Sequence, residues 1–195
     1  MAAKSLVLES SFRMDHPFPY FGISKVFEDE FADNLLGWLR DDSKWTLTET
    51  SFYTQYEFSL LDSALPNEIS FLLEESTLDQ LKELMRCNLA IPNLQLVGLT
   101  AHKLIDGHKM GVHNDLIGSR ESHRLVIQLN DSWQSENGGF LLLFNSKDPK
   151  DVANIVQPLH NSAVGFEISA KSFHAVSTVY NFERYTLVYT FNSVS

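Results

Sequence analysis

From Leu94 to the end of the sequence the chain never settles into a helical period. Short runs rich in Val, Ile, Leu, Thr and aromatic residues alternate with turns of Gly, Asn, Asp and Ser. The spacing predicts eight strands, over 94–104, 112–115, 123–130, 139–144, 154–158, 163–168, 174–180 and 184–192. So many short strands leave many unpaired edges unless the sheet curls and closes, which favours a jelly-roll barrel.

Before Leu94 the pattern is mixed. Residues 5–13 read as a short leading strand, and 16–22 as an extended entry segment too proline-rich for a central strand. Ser24 reads as a helix N-cap, with Val26, Phe27, Phe31, Leu35, Trp38 and Leu39 forming an apolar stripe that ends at Asp41-Asp42-Ser43. Trp45 to Leu61 reads as two strands. A second helical region runs from Pro66 to Leu89, with a break at the box-like Ser76-Thr77-Leu78-Asp79. The predicted fold class is α+β, mainly β: a double-stranded β-helix (jelly-roll or cupin-like) barrel braced by N-terminal helices. We expect a single catalytic domain over 1–195, with 1–93 as the support region and 94–195 as the barrel core.

Two of the predicted strands assign their faces. In 123–130, Leu125, Ile127 and Leu129 share one face while Arg124, Val126, Gln128 and Asn130 share the other. In 184–191, Tyr185, Leu187, Tyr189 and Phe191 oppose Arg184, Thr186, Val188 and Thr190. The apolar faces can pack under the helices, so the polar faces line the barrel interior. A dry core does not hold Arg, Thr, Gln and Asn, because unpaired buried polar groups cost too much. The interior is therefore expected to be a ligand cavity.

Composition removes several classes of function. The net charge of −10 and pI near 5.0 disfavour nucleic acid and anionic membranes as partners. The fourteen Phe suit a sheet-rich core. A single cysteine, Cys87, allows no internal disulfide; it is expected as a buried structural thiol at a helix end. No signal-peptide pattern occupies residues 1–9 and no run is long enough to span a bilayer, so a cytoplasmic protein is expected.

The chemistry centres on Gly107 to Asp115, which closes with His113-Asn114-Asp115. On a strand, His113 and Asp115 would share a face and supply two of the three ligands of a two-His-one-carboxylate iron site. A lone His-x-Asp is weak evidence, and the site needs a second His. His16 is expected to be structural or exposed, and His160 falls in a turn. His102 and His123 lie near strand ends, and His108 in the preceding loop. His174 is the best candidate, because Arg184 follows it by ten residues across a short turn. That hairpin would set Arg184 deeper in the same cavity, with Thr186 beside it to help grip a carboxylate.

Taken together, Gly107, His113-x-Asp115, Arg124, Leu129-Asn130, Trp133, Gly138-Gly139-Phe140-Leu141, Pro158, His174 and Arg184-x-Thr186 resemble the iron(II)- and 2-oxoglutarate-dependent dioxygenase family, in its prolyl-hydroxylase-like branch. The resemblance covers 96–191. It implies Fe(II) held by His113, Asp115 and His174, with 2-oxoglutarate chelating the metal and its far carboxylate on Arg184 and Thr186. O2 would be the oxidant and succinate and CO2 the products. The carboxylate of Asp115 implies hydroxylation, or another oxidation, rather than halogenation.

The chain departs from the family where relatives often carry Tyr, at Leu104 and Met110. Gln128, Asn130, Arg124 and His102 are open alternatives for the missing phenols, with Arg124 and Gln128 carried forward as cofactor-binding. The expected function is hydroxylation of an unactivated C–H in an amino acid, a peptide or protein residue, or a small metabolite. The alternative is a catalytically silent barrel or a non-redox metal cupin that binds a small ligand or partner. Segments 116–122 and 132–137 are candidate lids.

Overall fold

A computed structural model describes residues 6–41, 44–91, 93–116 and 121–194. Strand β1 (Leu6–Met14) and strand β2 (Tyr20–Phe27) lead into helix α1 (Asp29–Asp41). Strands β3 (Thr46–Glu49) and β4 (Thr54–Ser59) follow, then a 3-10 turn at Ser70–Leu73 and helix α2 (Glu75–Leu89). The rest is strand: β5 (Leu94–Leu104), β6 (Met110–His113), β7 (His123–Gln128), β8 (Leu141–Phe144), β9 (Val152–Val156), β10 (Ser162–Glu167), β11 (His174–Val176) and β12 (Arg184–Ser193). They form an eight-stranded sheet in the order β1-β2-β10-β7-β12-β5-β4-β3 and a four-stranded sheet in the order β6-β11-β8-β9. Every strand pair is antiparallel, giving a mainly β, jelly-roll-like fold.

The alternation read from β7 and β12 holds. Leu125, Ile127, Tyr185, Leu187, Tyr189 and Phe191 are buried on the outer face of the large sheet, in one core with Leu35, Leu39, Leu81 and Met85 of the two helices. Each such side chain removed from water contributes roughly 1.5–3 kcal/mol. Gly165 permits a close approach here: a Cβ on it would lie 2.3 Å from the Phe21 ring and 3.0 Å from the Met85 sulfur. A smaller core (Phe18, Tyr20, Leu141, Leu143, Val164, Phe166, Ile168) fills part of the space between the sheets.

The N-terminal half is less helical than its sequence implies, since four of its segments join the large sheet. Val26 and Phe27, expected in the first helix, end β2 instead. The side chain of Asn161 accepts from both their N–H groups, at 3.3 and 2.9 Å, and donates to Phe27 O at 2.8 Å, which satisfies that backbone as a helix would. Ser24 donates to Glu9 O and caps nothing. The proline-rich entry gives way at Tyr20 to a strand held between β1 and β10. The break before α2 falls at Glu74, and Ser76 sits inside the first turn. Cys87 is exposed rather than buried. No helix among the described residues is long and apolar enough to cross a membrane.

Candidate metal centre and its cavity

His113 is the last residue of β6, and it pairs in register with His174, the first residue of β11. Cross-strand pairing brings the two imidazoles to 4.2 Å between ring centres. Asp115 does not continue the strand. Its φ is +60°, so a left-handed turn, rather than the alternation of a strand, swings its carboxylate back toward both rings. His113 Nε2 lies 3.3 Å from Asp115 Oδ1, and His174 Nε2 lies 3.3 Å from Asp115 Oδ2. The three ligand atoms fall within 4.8 Å of one another.

The tautomers follow from the second nitrogens. His113 Nδ1 is 2.8 Å from Gly111 O, and His174 Nδ1 is 2.8 Å from Ser172 O. A carbonyl oxygen only accepts, so each Nδ1 carries the hydrogen and each Nε2 turns a lone pair inward. Two lone pairs and a carboxylate thus converge, a donor set that suits a divalent cation such as Fe(II) with open positions. Burial pushes the Asp115 carboxyl up, while the Arg124 guanidinium beside it pulls it down. Phe52 and Phe166 wall in the imidazoles, with ring centres 5.4 Å from His113 and 5.0 Å from His174.

The triad opens into a cavity of about 600 Å³ between the sheets. Arg184 lines it, though not by a hairpin from His174: β11 belongs to the small sheet and β12 to the large one. Arg184 is 3% exposed, and burial pulls its pKa down to about 10, so it stays cationic at neutral pH. It donates from Nε to Gly139 O at 2.9 Å and from Nη2 to Gln128 Oε1 at 3.0 Å. Among the described residues no carboxylate pairs with it. Thr186 Oγ1 and Gln128 Nε2 are also buried without partners. A buried cation with an unpartnered hydroxyl and an unpartnered amide nearby fits a carboxylate ligand, and so fits 2-oxoglutarate.

The other expected cavity residues are placed as follows. Arg124 lines the cavity, but its Nε lies 2.7 Å from Asp115 Oδ2 and its Nη2 donates to Glu121 at 3.0 Å. Gln128 accepts from Arg184 through Oε1, and its Nε2 is left without a partner. Asn130 is structural: it donates to Pro158 O and accepts from Tyr185 N. His102 lines the cavity with Leu104 and Met110, and burial lowers its pKa to about 4. His123 is buried and His160 lies 3.2 Å from Asp33, both away from the triad. Of the expected lids, 132–137 is tied down by bonds from Trp133 to Gly138 O and from Asn137 to Tyr180 O. Residues 117–120 of the other lie outside the described residues.

One wall was missed from the sequence. Tyr53, Gln55, Glu57 and Ser59 face the cavity from β4 and the residue before it. The run Tyr-x-Gln-x-Glu-x-Ser alternates with Tyr56 and Phe58 on the opposite face, and that alternation was the available signal. Burial, with Glu57 and Asp115 nearby, raises the Tyr53 phenol above its usual range.

Comparison with known proteins agrees with this geometry. Residues 99–191 match the family model of the 2OG-Fe(II) oxygenase superfamily. No curated relative matches the chain. Among solved structures, a Pseudomonas putida prolyl-4-hydroxylase is similar with a TM-score of 0.70 and 18% identity, over 95% of this chain and 93% of that one. A Trichoplax adhaerens prolyl hydroxylase, in complex with a hypoxia inducible factor oxygen degradation domain peptide fragment, gives 0.64 and 16%, over 84% of this chain and 77% of that one. HygX from Streptomyces hygroscopicus, with nickel and 2-oxoglutarate bound, gives 0.62 and 12%, over 90% and 83%. The barrel of this chain, residues 99–191, is thus similar to the 2OG-Fe(II) oxygenase superfamily, and the chain shares the fold of these prolyl-hydroxylase structures.

Proposed function

We propose that His113, Asp115 and His174 hold Fe(II), that Arg184, Thr186 and Gln128 hold the far carboxylate of 2-oxoglutarate, and that the enzyme hydroxylates an unactivated C–H of an amino acid, a peptide or protein residue, or a small metabolite. The observation that carries this is the buried Arg184 cation, which has no carboxylate partner among the described residues, in the same cavity as a converging His-Asp-His set. When bound, iron and 2-oxoglutarate supply O2 activation with release of succinate and CO2. The chain's own contribution is positional. The carbonyls of Gly111 and Ser172 fix the imidazole tautomers, Gln128 aims the guanidinium, and the buried Phe166 ring packs against His174. Strands of both 1–93 and 94–195 line the cavity, which supports one catalytic unit with α1 and α2 bracing its outer face. The peptide-bound Trichoplax structure supports a peptide residue as one substrate class.

The test is anaerobic titration of the Fe(II)-loaded protein with 2-oxoglutarate, followed by visible absorbance. A charge-transfer band is expected for the wild type, and none for His174→Ala, which should also lose tight iron binding. Full iron occupancy with no band in the wild type would overturn the proposal.

A further inference from the structure

Resting on that reading, one wall of the cavity bears on the substrate. Gln55 is 3% exposed, and its Nε2 donates to Glu57 Oε2 at 2.6 Å. Flipping the amide would set oxygen against carboxylate, so the orientation is fixed. The Gln55 Oε1 that remains is buried and has no partner. Glu57 accepts a second hydrogen bond, from Thr48 Oγ1 at 2.8 Å. An orphaned acceptor and a carboxylate therefore stand side by side on a cavity wall, both requiring donors.

Among the described residues nothing in the cavity supplies the matching charge. Its lining contains two basic side chains of fixed charge, Arg124 and Arg184. Arg124 is committed to Asp115 and Glu121, and Arg184 to Gly139 and Gln128. His102 reaches within 3.9 Å of Glu57 Oε2, but burial keeps it neutral at pH 7. Among the described residues Glu57 has no cationic partner. Tyr53 shares this wall and feels the charge of Asp115, which ties the wall to the metal end of the cavity.

We propose that Gln55 and Glu57 form a cation-binding subsite, and that the substrate presents a guanidinium or ammonium group to it while its reacting carbon faces the triad. Guanidinium suits the pair well, since its planar fork can donate to the Glu57 carboxylate and the Gln55 carbonyl together.

The test uses the full chain loaded anaerobically with Fe(II) and 2-oxoglutarate, and two probes of nearly equal shape: Nα-acetyl-L-arginine amide and Nα-acetyl-L-citrulline amide. Calorimetry should find the arginine probe bound at least about tenfold more tightly, as expected for one charge-assisted pair. Glu57→Gln should bring the two within about twofold. The replacement can still accept from Gln55 and donate to Thr48, and the wild-type comparison decides the matter even if the variant does not fold. Equal wild-type affinities, or a preference that survives Glu57→Gln, would overturn the subsite. The charge-transfer band is recorded before either probe is added. A band without a preference removes the subsite and leaves the oxygenase reading. A preference without a band does the reverse.

Discussion

Thr186 of β12 stands directly opposite Gln128 of β7, and Thr186 Oγ1 and Gln128 Nε2 are both buried without a partner. The same cross-strand row continues through His102 on β5 to Glu57 on β4. One line across the floor of the large sheet therefore runs from the proposed 2-oxoglutarate end of the cavity to the proposed cation subsite.

Thr186→Val isolates the first end of that row. The substitution deletes a hydroxyl that satisfies nothing within the chain, so a melting curve should show stability unchanged or slightly higher. The concentration of 2-oxoglutarate needed to half-develop the charge-transfer band should rise about tenfold or more, the loss of one hydrogen bond to a charged group. Unchanged 2-oxoglutarate binding would show that the hydroxyl does not face the ligand.

Gly139→Ala tests the seat of Arg184. Gly139 has φ +67°, and a Cβ there would lie 2.9 Å from Arg184 Cδ and 3.4 Å from Val179 Cγ2. The backbone alone costs about 1–2 kcal/mol in this conformation for an L residue. The guanidinium, held by the carbonyl of the same glycine, has to move. Weaker 2-oxoglutarate binding with iron affinity retained is the expected result, read by the same titration and by direct metal analysis.

Acid should destabilise the fold through His123. Burial lowers its folded pKa from 6.5 to about 4. Between those values the unfolded chain binds the extra proton, so stability falls as pH drops through 6.5 and the effect is complete near pH 4. The slope is at most about 1.4 kcal/mol per pH unit for one proton. His123→Gln, whose side chain can still bond to Ser122 Oγ, should flatten that part of a denaturation series. Parallel curves for the two proteins would refute the assignment.

The sequence was most informative where a single strand carries the information. Alternation in 184–191 separated Arg184 and Thr186 from Tyr185 and Leu187 correctly, because period two is a property of the strand itself. It was least informative where distant residues decide. Val26 and Phe27 are strand rather than helix because Asn161, more than a hundred positions on, takes up their backbone groups. Asp115 reaches the imidazoles from a left-handed turn, a conformation no apolar pattern encodes. His174 and Arg184 meet one cavity from different sheets, and a short connection reads in sequence as a hairpin. Gln55 and Glu57 escaped notice because their partner surface is built by β5, some forty residues later.

The β3–β4 hairpin lies at the margin of the large sheet, and its residues fall outside the stretch 99–191 that holds the triad and Arg184. A marginal hairpin has a neighbour on one side only. It can be lengthened, shortened or recoloured without repairing any strand beyond it, and loop insertions cost little. The proposed iron site and the proposed cation subsite thus lie on separate segments of one chain. On the proposed reading, substitutions at the rim would change which substrate is held without disturbing the residues proposed to hold iron and keto acid.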